Sequence, residues 1–132
     1  RSLLLFSDEG RHVMKPDLDY CRIEMAIDLV DNYIYSLKSR EPPCKYSSQK
    51  EYSEWSAAKS AAETILKRIV EGFEPTMVVE DYTLQMDYFS QVASDSGNYE
   101  TSTIFGIQSD IAIDIMNIFH ENEVYDKEIC YE

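Results

Sequence analysis

Four stretches of about twenty residues carry apolar side chains at helical spacing, and short clusters of Pro, Gly, Ser and Asn separate them. The first stretch runs from about Pro16 to Lys38 and stops before the Pro42-Pro43 pair. The second begins near Ser47 or Ser48, since Ser48 and Glu51 have the spacing of a capping box, and it ends at Gly72. This pattern predicts four helices.

The other two stretches meet at the polar loop 94–98. The third begins at Pro75-Thr76, and its apolar residues predict a buried stripe. The members of that stripe are Val78, Tyr82, Met86, Phe89 and Ala93, with Val79 and Val92 beside them. The fourth runs from about Thr101 to Asn122 and contains isoleucines at positions 104, 107, 111, 115 and 118.

A helix formed by the fourth stretch would have polar residues on only a narrow part of its circumference. Its polar residues fall on one strip about 60° wide if a helix advances about 100° per residue. They are Thr103, Asp110, Asp114, Asn117 and Glu121. We therefore expect a helix that is largely surrounded by the others. A strand is the alternative, because Ile111, Ile113 and Ile115 alternate with other residues.

Together these stretches predict an all-α fold, a compact bundle of four main helices with room for short extra helices at the termini. A length of 132 residues suits one domain. Met14-Lys15-Pro16 has the form of a translation start, which makes residues 1–13 a candidate non-native or flexible segment. We assign residues 14–122 to the helical domain and 123–132 to an acidic C-terminal tail.

The charge is polarised along the chain. Residues 1–68 contain eleven basic and eleven acidic side chains, whereas the 58 residues from Ile69 to Asp126 contain twelve carboxylates and no lysine or arginine. The formal net charge of −13 therefore belongs to the second half. Because nucleic acids and anionic membranes bind through Lys and Arg, we expect a protein of this net charge to contact neither of them directly.

The sequence offers little for catalysis. His12 and His120 are the only histidines, and no nucleotide-binding or nucleophile motif occurs, so we expect neither a cofactor nor an enzymatic activity. Three cysteines without a C-x-x-C motif indicate reduced thiols and a cytoplasmic protein. Asp110 and Asp114, one helical turn apart, are weak candidates for a divalent-metal site with Asp87 or Glu80.

Ten tyrosines are many for this length. Tyr33 and Tyr82 fall on apolar stripes and are expected in the core, whereas Tyr35, Tyr88 and Tyr99 are expected at the surface. Exposed tyrosines among carboxylates are typical of a recognition surface. The predicted partner-binding residues are Glu80, Asp87, Tyr88, Asp95, Tyr99, Asp110, Asp114, Glu121 and Tyr125.

These features favour a protein-binding module of the inhibitor or immunity type, which docks an acidic surface on the basic surface of a partner such as a nucleic-acid-binding protein. Two alternatives remain. The first is a structural protein that forms homo-oligomers through its Ala-rich or Ile-rich helices. The second is a hydrolase that holds a divalent metal with helix carboxylates.

Overall fold

The protein is a bundle of four α-helices. A computed structural model describes residues 16–43 and 48–124, with side chains from residue 20 onward, and these ranges contain no strand. The helices are α1 (Pro16–Lys38), α2 (Gln49–Val70), α3 (Pro75–Asp95) and α4 (Tyr99–Glu121). The all-α prediction is confirmed, and the strand alternative for residues 111–115 is wrong. Residues 1–15 and 125–132 lie outside the described residues.

Side chains at the N-termini of α2, α3 and α4 fix where these helices begin. Ser48 Oγ accepts the Glu51 amide at 3.0 Å, as the capping-box spacing predicts. The Glu74 carboxylate accepts the Met77 amide at 3.0 Å, with Pro75 in the first turn of α3. The Asn98 side chain accepts the Thr101 amide at 3.2 Å. Because Asn98 is the cap, α4 begins at Tyr99, two residues before the predicted start.

Helices α2, α3 and α4 end in one hydrogen-bond pattern, the Schellman motif, in which a residue with positive φ turns the chain back. Gly72 and Gly97 occupy this position after α2 and α3. After α4 it is Glu123, with a φ of 57°. The amide of Val124 then bonds to the Phe119 carbonyl at 2.7 Å, and the Val124 side chain is buried. The core therefore extends beyond residue 122, the predicted end of the domain.

The core lies between the four helices, and α4 contacts each of the other three. Its largest fully buried side chain is Phe119. The alanines of α2 at positions 57, 58, 61 and 62 are all buried, as expected of a surface that lets another helix approach closely. In agreement, Gln108 of α4 donates a hydrogen bond of 3.2 Å to the Ala57 backbone carbonyl.

Polar side chains also join neighbouring helices. The Trp55 indole of α2 donates to the Leu37 carbonyl at the end of α1, at 2.7 Å. Between α3 and α4 the hydroxyl of Ser90 donates to the Ser102 carbonyl, and the hydroxyl of Ser102 donates to the Ser90 carbonyl, both at 2.9 Å. These reciprocal bonds hold the two helices together next to the loop that connects them.

Helix α3 lies at the edge of the bundle. It packs mainly against α4 and only briefly against α2. As a result Phe89 is 42% exposed, so its assignment to the buried stripe is wrong, and Val92, which was placed beside that stripe, is 45% exposed. Val79 is fully buried in their place. Within the described ranges, no helix combines the length and the apolar character needed to cross a bilayer.

Candidate binding face

The outward strip of α4 supplies the first half of the predicted face. The predicted residues Tyr99, Asp110, Asp114 and Glu121 are all exposed. Thr103 and Asn117 are exposed on the same strip, and all six fall within about 60° of the helix circumference. The helical spacing of α4 therefore brings Tyr99 and three carboxylates onto one line along the bundle.

Neighbouring helices border this strip on both sides. On one side the hydroxyl of Tyr33 in α1 donates to Asp114 Oδ2 at 3.0 Å. On the other side the buried hydroxyl of Ser109 donates to Asp87 Oδ1 of α3 at 2.6 Å. Asp87 thus connects the strip of α4 to the outward surface of α3.

Helix α3 supplies the second half. Glu80, Asp87, Tyr88 and Asp95 are exposed and fall within about 100° of its circumference. The Tyr88 ring lies 5.9 Å from the ring of Phe89, which in turn lies 5.3 Å from Phe105 of α4. We call the outward surfaces of α3 and α4 the acidic face. Tyr125, the remaining predicted member, lies outside the described residues.

The acidic face carries charge of one sign. All eight carboxylates of α3 and α4 are exposed, and neither helix contains a lysine or arginine. They are Glu80, Asp81, Asp87, Asp95, Glu100, Asp110, Asp114 and Glu121. The seven lysine and arginine residues of the described ranges all precede residue 69. Of these, Lys50 and Lys59 pair within α2, and Arg22 bonds to Glu74 at the cap of α3.

The two predicted core tyrosines behave as expected. Tyr82 is 4% exposed, and Tyr33 is half-buried with its hydroxyl at the rim. Burial, together with the hydrogen bond to Asp114, raises the pKa of Tyr33 to about 12. Burial also raises the pKa of Tyr82, partly offset by the Arg68 guanidinium, which lies 5.5 Å from the centre of its ring. The Tyr33 hydroxyl therefore stays a hydrogen-bond donor throughout the neutral range.

The weak metal-site candidates do not form a cluster with other ligands. Asp110 and Asp114 lie one turn apart, but Asp114 is bonded to Tyr33 and Asp87 to Ser109. Among the described residues, no group of three or more His, Cys, Asp or Glu side chains is placed to hold a metal ion. Cys21 is an exposed free thiol, as expected, while Cys44 and Cys130 lie outside the described residues.

Sequence reasoning missed one component of the face. Met77, Leu84 and Val92 are exposed apolar residues on the outward surface of α3, around Tyr88. The sequence alone could have shown this grouping. Positions 77, 84, 88 and 92 are separated by seven, four and four residues, and residues at such spacing lie on one side of a helix. That side lies opposite Val79, which has no exposed surface.

Comparison of the chain with models of known protein families, with characterised proteins and with solved structures finds no match.

Proposed function

We propose that the protein is a non-enzymatic binding module whose acidic face docks on a basic surface of another protein. The observation that carries this proposal is the composition of the face, which presents eight exposed carboxylates and no lysine or arginine on α3 and α4. A surface of one sign raises the association rate with a partner of opposite sign and disfavours partners of like sign. Nucleic-acid-binding proteins expose basic surfaces of this kind.

The segregation of charge argues for a partner rather than for solubility alone. Two unit charges about 10 Å apart in water repel by about 0.4 kcal/mol, so grouping many of them costs stability. A requirement for solubility would be met equally well by carboxylates spread over all four helices. Tyr88 and Tyr99, exposed among the carboxylates, add large and fairly rigid contact area.

Self-association is a weaker candidate. The buried alanines of α2 already pack inside one chain, so they are not available to a second copy. Two copies also carry the same net charge of −13, which opposes pairing through their acidic faces.

The test compares a variant that neutralises three carboxylates of the acidic face with a control that neutralises three carboxylates elsewhere on the protein. One variant carries Asp110→Asn, Asp114→Asn and Glu121→Gln on α4; the control carries Asp28→Asn, Asp31→Asn and Glu41→Gln in and after α1. Each removes three exposed charges. Basic proteins retained from a cell extract by the immobilised wild-type chain are identified and purified, and the affinity of each is then measured for all three chains.

We expect the affinity to fall roughly tenfold or more between about 50 mM and about 500 mM NaCl, since screening weakens surface charge pairs. The affinity of the α4 variant for the partner should be lower than that of the wild type by a comparable factor, whereas the affinity of the control should be unchanged. An affinity that does not change with the salt concentration would contradict the proposal, as would an equal loss of affinity in both variants.

A further inference from the structure

The outward surface of α3 carries an exposed apolar stripe along its length. Its members are Met77, Leu84, Tyr88 and Val92, of which Leu84 is 68% and Tyr88 is 65% exposed. At about 100° per residue they fall within about 80° of the circumference. Exposed apolar residues grouped on one side of a helix mark a surface that another element can cover. We call these four residues the α3 stripe.

Carboxylates accompany the stripe on the same helix. Glu80 and Asp87 lie on one side of it, Asp81 lies within it between Met77 and Leu84, and Asp95 lies at its C-terminal end. No positive charge occurs on α3. An occupant of this surface must therefore bring apolar side chains with lysine or arginine beside them.

A surface cavity of about 340 Å³ opens at the Met77 end of the stripe. Phe73, Met77 and Val78 give it apolar walls, and the charged residues that line it are Arg68, Glu71, Glu74 and Asp81. A concave apolar site at the end of a stripe can receive one large side chain, as anchor pockets do in helix-in-groove recognition.

The length of the stripe fits a helix as the partner element. The fifteen-residue step from Met77 to Val92 spans about 22 Å at about 1.5 Å per residue, which matches a partner helix of about four turns. Pairing with a strand needs unpaired backbone groups at a sheet edge, and the backbone of α3 is bonded within the helix. A second copy of the chain would place its own carboxylates next to those of α3, and these like charges would repel each other.

We propose that the α3 stripe docks an amphipathic helix of a partner protein, with apolar side chains at three- and four-residue spacing and lysine or arginine on their flanks. This inference rests on the proposed function and specifies the part of the basic partner that is bound. The carboxylates speed the approach of the helix and align it, whereas the stripe and the cavity supply apolar contact that salt does not screen.

The test uses a fluorescent 18-residue peptide of leucine and lysine with leucines at helical spacing, and a scrambled peptide of the same composition without that periodicity. Anisotropy gives the affinity of each for the full chain at about 150 mM NaCl. The variant is Leu84→Ala with Tyr88→Ala. The matched control is Met25→Ala with Tyr35→Ala on α1, where both residues are also exposed. Alanine at these exposed positions keeps the helices intact.

We expect the amphipathic peptide to bind roughly tenfold or more tightly than the scramble, and the Leu84→Ala, Tyr88→Ala variant to abolish that difference while the α1 control keeps it. Equal, salt-sensitive binding of both peptides to all chains would overturn the inference and leave the proposed function standing. Failure of both peptides to bind at low salt, to the full chain and also to the chain without residues 1–15, would remove the proposed function as well.

Two further outcomes identify a different occupant and also overturn the inference. One is a dimer in sedimentation velocity that the Leu84→Ala, Tyr88→Ala variant returns to monomer, which would place a second copy on the stripe. The other is peptide binding that appears only after deletion of residues 1–15, which would place this chain's own N-terminal segment there.

Discussion

The hydroxyl of Tyr33 donates a hydrogen bond of 3.0 Å to Asp114 Oδ2 and so joins the first helix to the last. The bond lies where the acidic strip of α4 meets α1. It gives one carboxylate of the face a fixed position and a donor, while the other α4 carboxylates, those of Glu100, Asp110 and Glu121, face solvent.

Removal of this bond should have a pH-dependent effect. We expect Tyr33→Phe to lower the free energy of unfolding by about 1 kcal/mol at pH 7. The folded-state pKa of Tyr33 is raised to about 12, from 10.0 for an ordinary tyrosine, so the native state holds this proton more tightly. The contribution of Tyr33 is therefore complete below pH 10 and is lost as pH rises toward 12.

Urea titrations between pH 7 and 12 give the free energy of unfolding of the wild type and of Tyr33→Phe, and the difference between the two measures that contribution. The other tyrosines are present in both proteins, so their effects cancel in the difference. The difference should shrink above pH 10. A difference that stays constant across the whole range would show that the Tyr33 proton is not linked to folding.

The turn after α4 predicts a stabilising substitution. Glu123 has a φ of 57°, a left-handed conformation that costs a residue with a side chain about 1 kcal/mol. It also places negative charge at the negative end of the helix dipole. We expect Glu123→Gly to raise the free energy of unfolding by about 1 kcal/mol, as measured by chemical denaturation.

Glu121→Gly is the matched control, because it makes the same chemical change two residues earlier, in the last turn of α4. There the backbone is right-handed, and glycine should destabilise by about 1 kcal/mol. Effects of the same sign at both positions would contradict this account of the turn.

The alanines of α2 predict a strong response to added volume. Ala62 has no exposed surface and lies in the core between helices. We expect Ala62→Leu to lower the free energy of unfolding by about 2 kcal/mol, since added methyl groups force the helices apart. Ser60→Leu, at an exposed position of the same helix, should change it by less than about 0.5 kcal/mol. Equal effects in thermal melts would show that α2 is not closely packed.

Divalent metal provides a direct test of the hydrolase alternative. We expect magnesium, calcium and manganese to leave the melting temperature unchanged, because Asp110 and Asp114 gain no third ligand from the described residues. A rise of several degrees that Asp110→Asn with Asp114→Asn abolishes would instead establish a metal site on α4.

The fold was predictable where local chemistry decides it. The bounds of α1, the Ser48 cap of α2 and the Pro75 start of α3 each follow from a capping or breaking residue. The errors arise where tertiary packing decides. Phe89 and Val92 have helical spacing with Val78, but only a neighbouring helix can cover them, and the edge position of α3 leaves them partly exposed.

The site was predictable to a similar degree. Spacing alone placed Asp110, Asp114 and Glu121 on one strip of α4, and their exposure confirms that arrangement. It could not show that Asp87 accepts a bond from Ser109 or that Asp114 accepts one from Tyr33, because these contacts join residues 22 and 81 positions apart. Nor could it separate the α3 stripe from the core, since both are apolar at helical spacing.

The reciprocal serine bonds between α3 and α4 bear on the order in which the chain folds. Ser90 and Ser102 lie only twelve positions apart, and the turn between them is closed by its own glycine and asparagine cap. Contacts between residues close in sequence need little chain entropy to form, and bundles rich in them fold within microseconds to milliseconds. The α3–α4 hairpin should therefore nucleate folding.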